Sequence, residues 1–263
     1  MDEFFSGRRL YGDNFSPAEI EAWYRDEQSA YFELATEARE AGFYGYHALN
    51  WLHGYRHLPP GSLGRVMSFG GANGEELRPI ARRAWSIVIV EPGAYCDASL
   101  EGTAVSYRRP VPSGRLPADD FEFDLITCFG ALHHVPNVTT VVRDFGRVVR
   151  SGGLALVREP VITMGDWRQP RRGLTRHERG IPPRILEHAF QKAGFRILRR
   201  RRCVHTLTPR IGRLLGVAWF NSRLLTRFDS ALSTCTPWPI VYHPRRLWQK
   251  LQPCSIFYVL RKR

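Results

Sequence analysis

Two periodicities alternate along the chain. The first is helical: Ile20, Trp23, Tyr24, Tyr31, Leu34, Ala35 and Ala38 recur at spacings that predict one amphipathic helix running to about Glu40. Its start is marked by Ser16 as cap, Pro17 at the first helical position and Glu19 closing a capping box, with Phe15 and Ile20 placed as a hydrophobic staple. A second, aromatic-rich helix is expected over residues 44–55. Beyond Pro59-Pro60-Gly61 the pattern changes to short apolar runs at 65–69, 87–90, 104–107, 125–129 and 154–157. Helices are expected in most of the gaps between them, as in a parallel sheet covered by helices. The clearest helix is 138–149, where Val138, Val141, Val142, Phe145, Val148 and Val149 share a face ahead of Gly152-Gly153. A helix from about Pro183 to Gly194 leads into a basic strand over 195–204, and alternation over 254–260 predicts a last strand. Residues 205–253, rich in aromatics and arginine, exceed any ordinary loop and are expected to fold as an insertion.

A chain of 263 residues with 43% hydrophobic and 24% charged side chains carries one α/β domain with additions. No stretch approaches the roughly 20 apolar residues that span a bilayer, and the acidic start lacks a secretory apolar core, so a cytoplasmic location is expected. The five cysteines are dispersed without metal-ligand spacing, which predicts free thiols and no metal. The formal charge of +13 favours anionic partners, but only three of the 38 basic residues are lysines, so arginine dominance blunts that signal.

Chemistry concentrates at the end of the first strand. Phe69-Gly70-Gly71-Ala72-Asn73-Gly74 is a small-residue turn that lets backbone approach a ligand, and a helix N-terminus beyond it would present N–H groups to a carboxylate. Glu91, followed by Pro92, ends the second strand some twenty residues later, where an acid can accept from both ribose hydroxyls. Glycine turn and acid together indicate an adenosine-containing ligand.

Further along, Phe123-Asp124-Leu125-Ile126, then Gly130-Ala131-Leu132-His133-His134-Val135, Arg147-Val148-Val149-Arg150-Ser151-Gly152-Gly153 and Glu159-Pro160 appear in order. With these the chain resembles the class I S-adenosylmethionine-dependent methyltransferases, of the methyltransferase type 11/12-like kind, from about Leu63 to Phe195. The resemblance implies a Rossmann-like three-layer α/β/α sandwich. Its mostly parallel seven-stranded sheet would have an antiparallel last strand, an N-terminal helical cap (residues 1–60), a cofactor-binding core (61–204), a helical insertion forming a substrate lid (205–253), and the final strand (254–263). It also implies that Gly70 to Gly74 line the methionine part of S-adenosylmethionine, that Glu91 holds the ribose, and that Phe129 and Gly130 border the sulfonium. Ser68 stands where the family usually has an acid, Ala72 replaces its middle glycine, and the stretch from Tyr107 to Ser113 supplies no acid for the adenine amino group.

Methyl transfer requires chiefly alignment, with a base when the acceptor is a hydroxyl. His133 and His134 are the candidate catalytic residues, and Tyr44, Tyr46, His47, Glu159 and His177 are candidates for the acceptor pocket. The expected reaction is methylation of a small or medium-sized metabolite, a sugar or natural-product scaffold, at oxygen before nitrogen, with an anionic acceptor compatible with the charge. Three other readings remain: a nucleic-acid methyltransferase, which lacks any recognisable RNA-binding module here, a non-catalytic cofactor-binding or scaffold protein, and a nicotinamide-dependent oxidoreductase.

Overall fold

The computed structural model describes residues 1–27, 44–93, 95–169, 171 and 173–263. The apolar runs assemble into one sheet of eight strands: β1 (Gly64–Phe69), β2 (Ala84–Val90), β3 (Ala98–Leu100), β4 (Thr103–Arg108), β5 (Phe123–Phe129), β6 (Val149–Pro160), β7 (Phe195–His205) and β8 (Pro253–Lys262). Their spatial order is β3-β4-β2-β1-β5-β6-β8-β7. The five strands from β4 to β6 are mutually parallel, and β8 runs antiparallel between β6 and β7. The expected seven strands are thus joined by an eighth. Residues 98–100 turn back through Glu101 and Gly102 and pair antiparallel with β4 at the sheet edge, a hairpin too short to announce itself by alternation.

The helices are α1 (Asp2–Phe5), α2 (residues 17–27), α3 (His47–His53), α4 (Val138–Val148), α5 (Pro183–Lys192), α6 (Leu207–Leu214) and α7 (Arg223–Cys235). The start of α2 is the anticipated capping box: Ser16 N–H donates to Glu19 Oε2 at 2.8 Å, and Glu19 N–H donates to Ser16 Oγ at 3.4 Å. Its expected continuation to Glu40 lies outside the described residues. The helix expected over 44–55 is shorter. Gly54, at φ −123°, ψ −76°, ends α3, and a 3-10 turn (Tyr55–His57) follows. A Cβ on Gly54 would meet the Phe257 ring at 2.5 Å, so this glycine lets α3 seat against β8.

Helices do not fill most gaps in the first half of the sheet. Between β1 and β2 the chain makes only two 3-10 turns, Glu75–Leu77 and Ala81–Arg83, and among the described residues no α-helix lies between β2 and β4 or between β4 and β5. Pro79, in the middle of the first link, has no N–H for a helical ladder. The core divides about the sheet. On one face α4 and α5 pack on Met67, Val88, Ile126 and Val157; on the other Leu49, Leu77, Ile80 and Trp219 cover Val66, Ile87, Leu125 and Leu156. Among the described residues no helix is long and apolar enough to cross a membrane.

Candidate functional site

From β1 the chain proceeds outward through β2 to β4, then returns to the other side of β1 as β5. The strand order reverses at the β1–β5 boundary, and the crevice beyond the C-terminal ends of these strands is where open α/β sheets bind ligands. Here it is a cleft bordered by Phe69 and Gly70 at the end of β1, Glu91 and Pro92 after β2, Gly130 and Ala131 after β5, and Tyr24 and Glu27 of α2.

The local sequence fixes this geometry. Gly70 has φ +71°, and a Cβ there would stand 2.3 Å from that of Ala131, so the turns after β1 and β5 touch only because position 70 is glycine. Ala72 holds the left-handed φ of +46°, a strain of about 1–2 kcal/mol for a residue with a Cβ. Its N–H donates to Glu91 Oε2 at 3.0 Å, and Gly93 N–H donates to Oε1 at 3.4 Å. Glu91 is buried and ties the glycine turn to β2. Gly74 opens the 3-10 turn Glu75–Leu77, so the helix N-terminus expected beyond the glycine turn is replaced by a single tight turn.

Ser68, in place of an acid, does not leave the region without one. Ser68 Oγ donates to Glu76 Oε1 at 2.6 Å, and Thr127 Oγ1 donates to the same oxygen at 3.2 Å. Burial pushes this carboxyl up to about 7, with the Ser68 hydrogen bond opposing the rise. No acid replaces the one missing after β4: Pro110 borders the cleft there, and Ser113 is exposed.

The two histidine rings lie side by side on the 3-10 turn Leu132–His134, centroids 4.1 Å apart, yet they meet different partners. His133 is buried, with Nδ1 2.8 Å from Glu159 Oε2 and Nε2 3.3 Å from Glu178 Oε1. Burial disfavours the charged ring, but these two carboxylates outweigh it and hold His133 at about 9, an imidazolium at neutral pH. Burial likewise opposes charge on Glu178, yet its bond to His133 brings it to about 2. His134, in contrast, borders the cleft, its Nδ1 2.8 Å from Glu27 Oε2 and 3.2 Å from Thr175 Oγ1. His133, His134 and Glu178 bring ligand atoms within 4.8 Å of one another, but both His133 nitrogens are already engaged by carboxylates.

Glu159 is fully buried and accepts the N–H groups of Ala131 and Leu132 at 3.0 and 2.9 Å, so it shapes the turn after β5. His177 stacks on Trp23 at 4.3 Å and bonds Asp26 through Nε2, fastening α2 to the loop after β6. Tyr44, Tyr46 and His47 do not border the cleft. Asn221, between α6 and α7, donates to Tyr44 O and accepts from His47 N–H, and Tyr46 lies between Phe220 and the Arg158 guanidinium.

Glu27, Tyr24 and Arg179 escaped the sequence reading. Glu27 had a signal, an acid at position 27 within the apolar stripe of Trp23, Tyr24 and Tyr31. Arg179, buried to 0% exposure, donates to the carbonyls of Tyr11, His133, Val135 and Pro136 and lies over the Trp23 ring, with no local pattern to betray it.

The profile of a family described as a methyltransferase domain matches residues 34–200. The ubiquinone biosynthesis O-methyltransferase of Rhizobium johnstonii is 27% identical over 153 residues, 52% of this chain and 61% of that protein. The chain thus spans less than two thirds of the length of the curated relatives it matches. Among solved structures, an S-adenosylmethionine-dependent methyltransferase from Mesorhizobium loti superposes with a TM-score of 0.53 at 16% identity, covering 81% of this chain and 97% of that one. The 1,6-didemethyltoxoflavin-N1-methyltransferase of Burkholderia thailandensis, solved with 1,6-didemethyltoxoflavin and S-adenosylhomocysteine, gives 0.53 at 15% identity over 94% and 91% of the two chains. These likenesses establish a common fold.

Proposed function

Because the chain belongs to the class I S-adenosylmethionine-dependent methyltransferases, we propose that the β1–β5 cleft holds this cofactor and that its methyl group passes to a small or medium-sized metabolite, at oxygen in preference to nitrogen. The observation that carries the reading is the meeting of Gly70, Glu91 and Gly130 in one crevice with His134 beside them. In it Gly70 to Gly74 border the methionine part, with Phe69 and Pro92 flanking the turn and strand end. Glu91, which accepts from Ala72 N–H, would hold the ribose hydroxyls. Gly130 would border the sulfonium, whereas the Phe129 ring packs away from the cleft against Tyr55 and Phe257. When bound, the cofactor supplies the methyl group and its leaving group. His134, its Nδ1 held by Glu27, takes the proton of an acceptor hydroxyl at Nε2. His133 acts through position and charge, since both its nitrogens are engaged. The curated relative's name supports oxygen as the acceptor atom.

The division into an N-terminal cap (1–60), a cofactor core (61–204), a lid (205–253) and a last strand (254–263) is part of this proposal. It is supported by α2 bordering the cleft and by α6 and α7 lying between β7 and β8. Calorimetric titration with S-adenosylmethionine and S-adenosylhomocysteine tests the reading. Binding is expected in the wild type and at least tenfold weaker in Glu91→Ala, since two hydrogen bonds to a charged group are lost. A folded wild type that binds neither compound refutes it.

A further inference from the structure

The lid segment carries a surface that its place beside the sheet does not explain. Of the fourteen large hydrophobic side chains exposed among the described residues, nine lie between 211 and 251. They are not scattered. Ile211, Leu214 and Leu215 recur at i, i+3 and i+4 on α6, with Leu214 85% exposed. Leu224 and Phe228 are one turn apart on α7, and Leu247 and Trp248 open the following 3-10 turn (Trp248–Lys250), with Leu247 82% exposed. A side chain left this far out in water forgoes most of the 1.5–3 kcal/mol its burial would contribute, roughly, so an apolar set of this size marks a surface that meets something.

Charge indicates what it meets. Residues 206–252 hold seven cations, all exposed: Arg210 and Arg213 among the α6 leucines, Arg223 and Arg227 flanking Leu224, and Arg245, Arg246 and Lys250 about Trp248. Its single acid, Asp229, is fully buried and accepts from Val204 N–H, His205 N–H and Thr208 Oγ1, so residues 206–252 expose no carboxylate. The pieces are joined. Asp229 of α7 bonds Thr208 of α6, Trp219 packs between Gly212 and Phe228, and Thr206 donates to the carbonyl of Lys250.

We infer that this lid docks on an anionic lipid bilayer, its leucines and Trp248 entering the headgroup boundary while the arginines pair with lipid phosphates. A second copy would oppose seven cations to seven, and a nucleic acid would leave Leu214 and Leu247 in water. An anionic bilayer satisfies both the apolar and the basic set. The lid also holds Tyr44 and His47 through Asn221.

Co-sedimentation of the full chain with vesicles of phosphatidylcholine, alone or with a third phosphatidylglycerol, tests this. Binding is expected to the mixed vesicles, weaker in high salt. Arg210→Gln with Arg213→Gln is expected to weaken it roughly thirtyfold, at about fivefold per cation. Leu214→Ser with Leu215→Ser is expected to weaken it at least tenfold. Both pairs are exposed, and far-ultraviolet circular dichroism checks that each variant folds. No affinity for the mixed vesicles, binding unmoved by both variants, or a dimer in light scattering that Leu214→Ser dissociates would overturn the inference. RNA retention without vesicle binding would do the same.

Discussion

His133 offers a prediction whose sign and size come from the structure. In the folded chain its imidazole lies between Glu159 and Glu178 and keeps its proton up to about pH 9, against 6.5 for an unperturbed ring. The folded state therefore holds a proton that the unfolded chain releases, and stability falls as pH rises through this window. The contribution is complete below pH 6.5, declines by about 1.4 kcal/mol per pH unit, and is gone once the folded ring titrates, for a total of roughly 3 kcal/mol. Other groups overlap at the edges. Glu76, raised to about 7, is still titrating at the acid end, but it does so in both proteins and cancels in their difference. Buried thiols such as Cys203, whose pKa burial raises, destabilise the fold only where unfolded thiols ionise, at the alkaline end. Between about pH 7 and 8.5 the difference between wild type and His133→Gln isolates the histidine. Urea unfolding followed by tryptophan fluorescence should show wild-type stability falling by roughly 2 kcal/mol more than that of the variant across this range. Parallel curves would refute the claim that His133 is an imidazolium held between two carboxylates.

Arg179→Met removes every donor to the carbonyls of Tyr11, His133, Val135 and Pro136 and leaves them in a buried site. A loss of about 3–5 kcal/mol, or roughly 10 °C in Tm, is expected by thermal melting, and an unchanged Tm would show that the clamp is idle. Gly70→Ala sets a Cβ 2.3 Å from Ala131 and should abolish S-adenosylhomocysteine binding in calorimetry. Adding Ala131→Gly should restore part of it, because only the left-handed φ then remains to be met at about 1–2 kcal/mol; wild-type affinity in the single variant would place the ligand elsewhere.

What the sequence revealed was local. The Ser16–Glu19 box and the strands about β1, β2 and β5 follow from short-range chemistry and periodicity, and the structure has them. The turns between β1 and β2 were legible in part, since Pro79 and Gly74 interrupt any helix there, but sheet packing alone decides that 3-10 turns suffice. Adjacent histidines could not be assigned from sequence, because only the handedness of the turn after β5 says which one meets the cleft. Strand alternation could have separated Arg158 from Glu159. One lies under Tyr46 and the other under the turn at Ala131, on opposite faces of β6. Contacts between distant segments, such as Glu27 with His134 and Arg179 with Tyr11, left no trace beyond one acid on an apolar stripe.

The two 3-10 turns that stand in place of a helix between β1 and β2 bear on how the molecule breathes. Strands β2 and β4 are supported on one face by two short turns, whereas β6 and β8 sit against helices. Segments with so little covering open at a fraction of the global free energy, so amide exchange should be fastest in the β2–β3–β4 wing. Glu91 stands at the tip of that wing and Gly70 on the firm centre of the sheet. A molecule gripping both would act as a splint, and its affinity would be read out as slowed exchange in the wing well before any change in global unfolding.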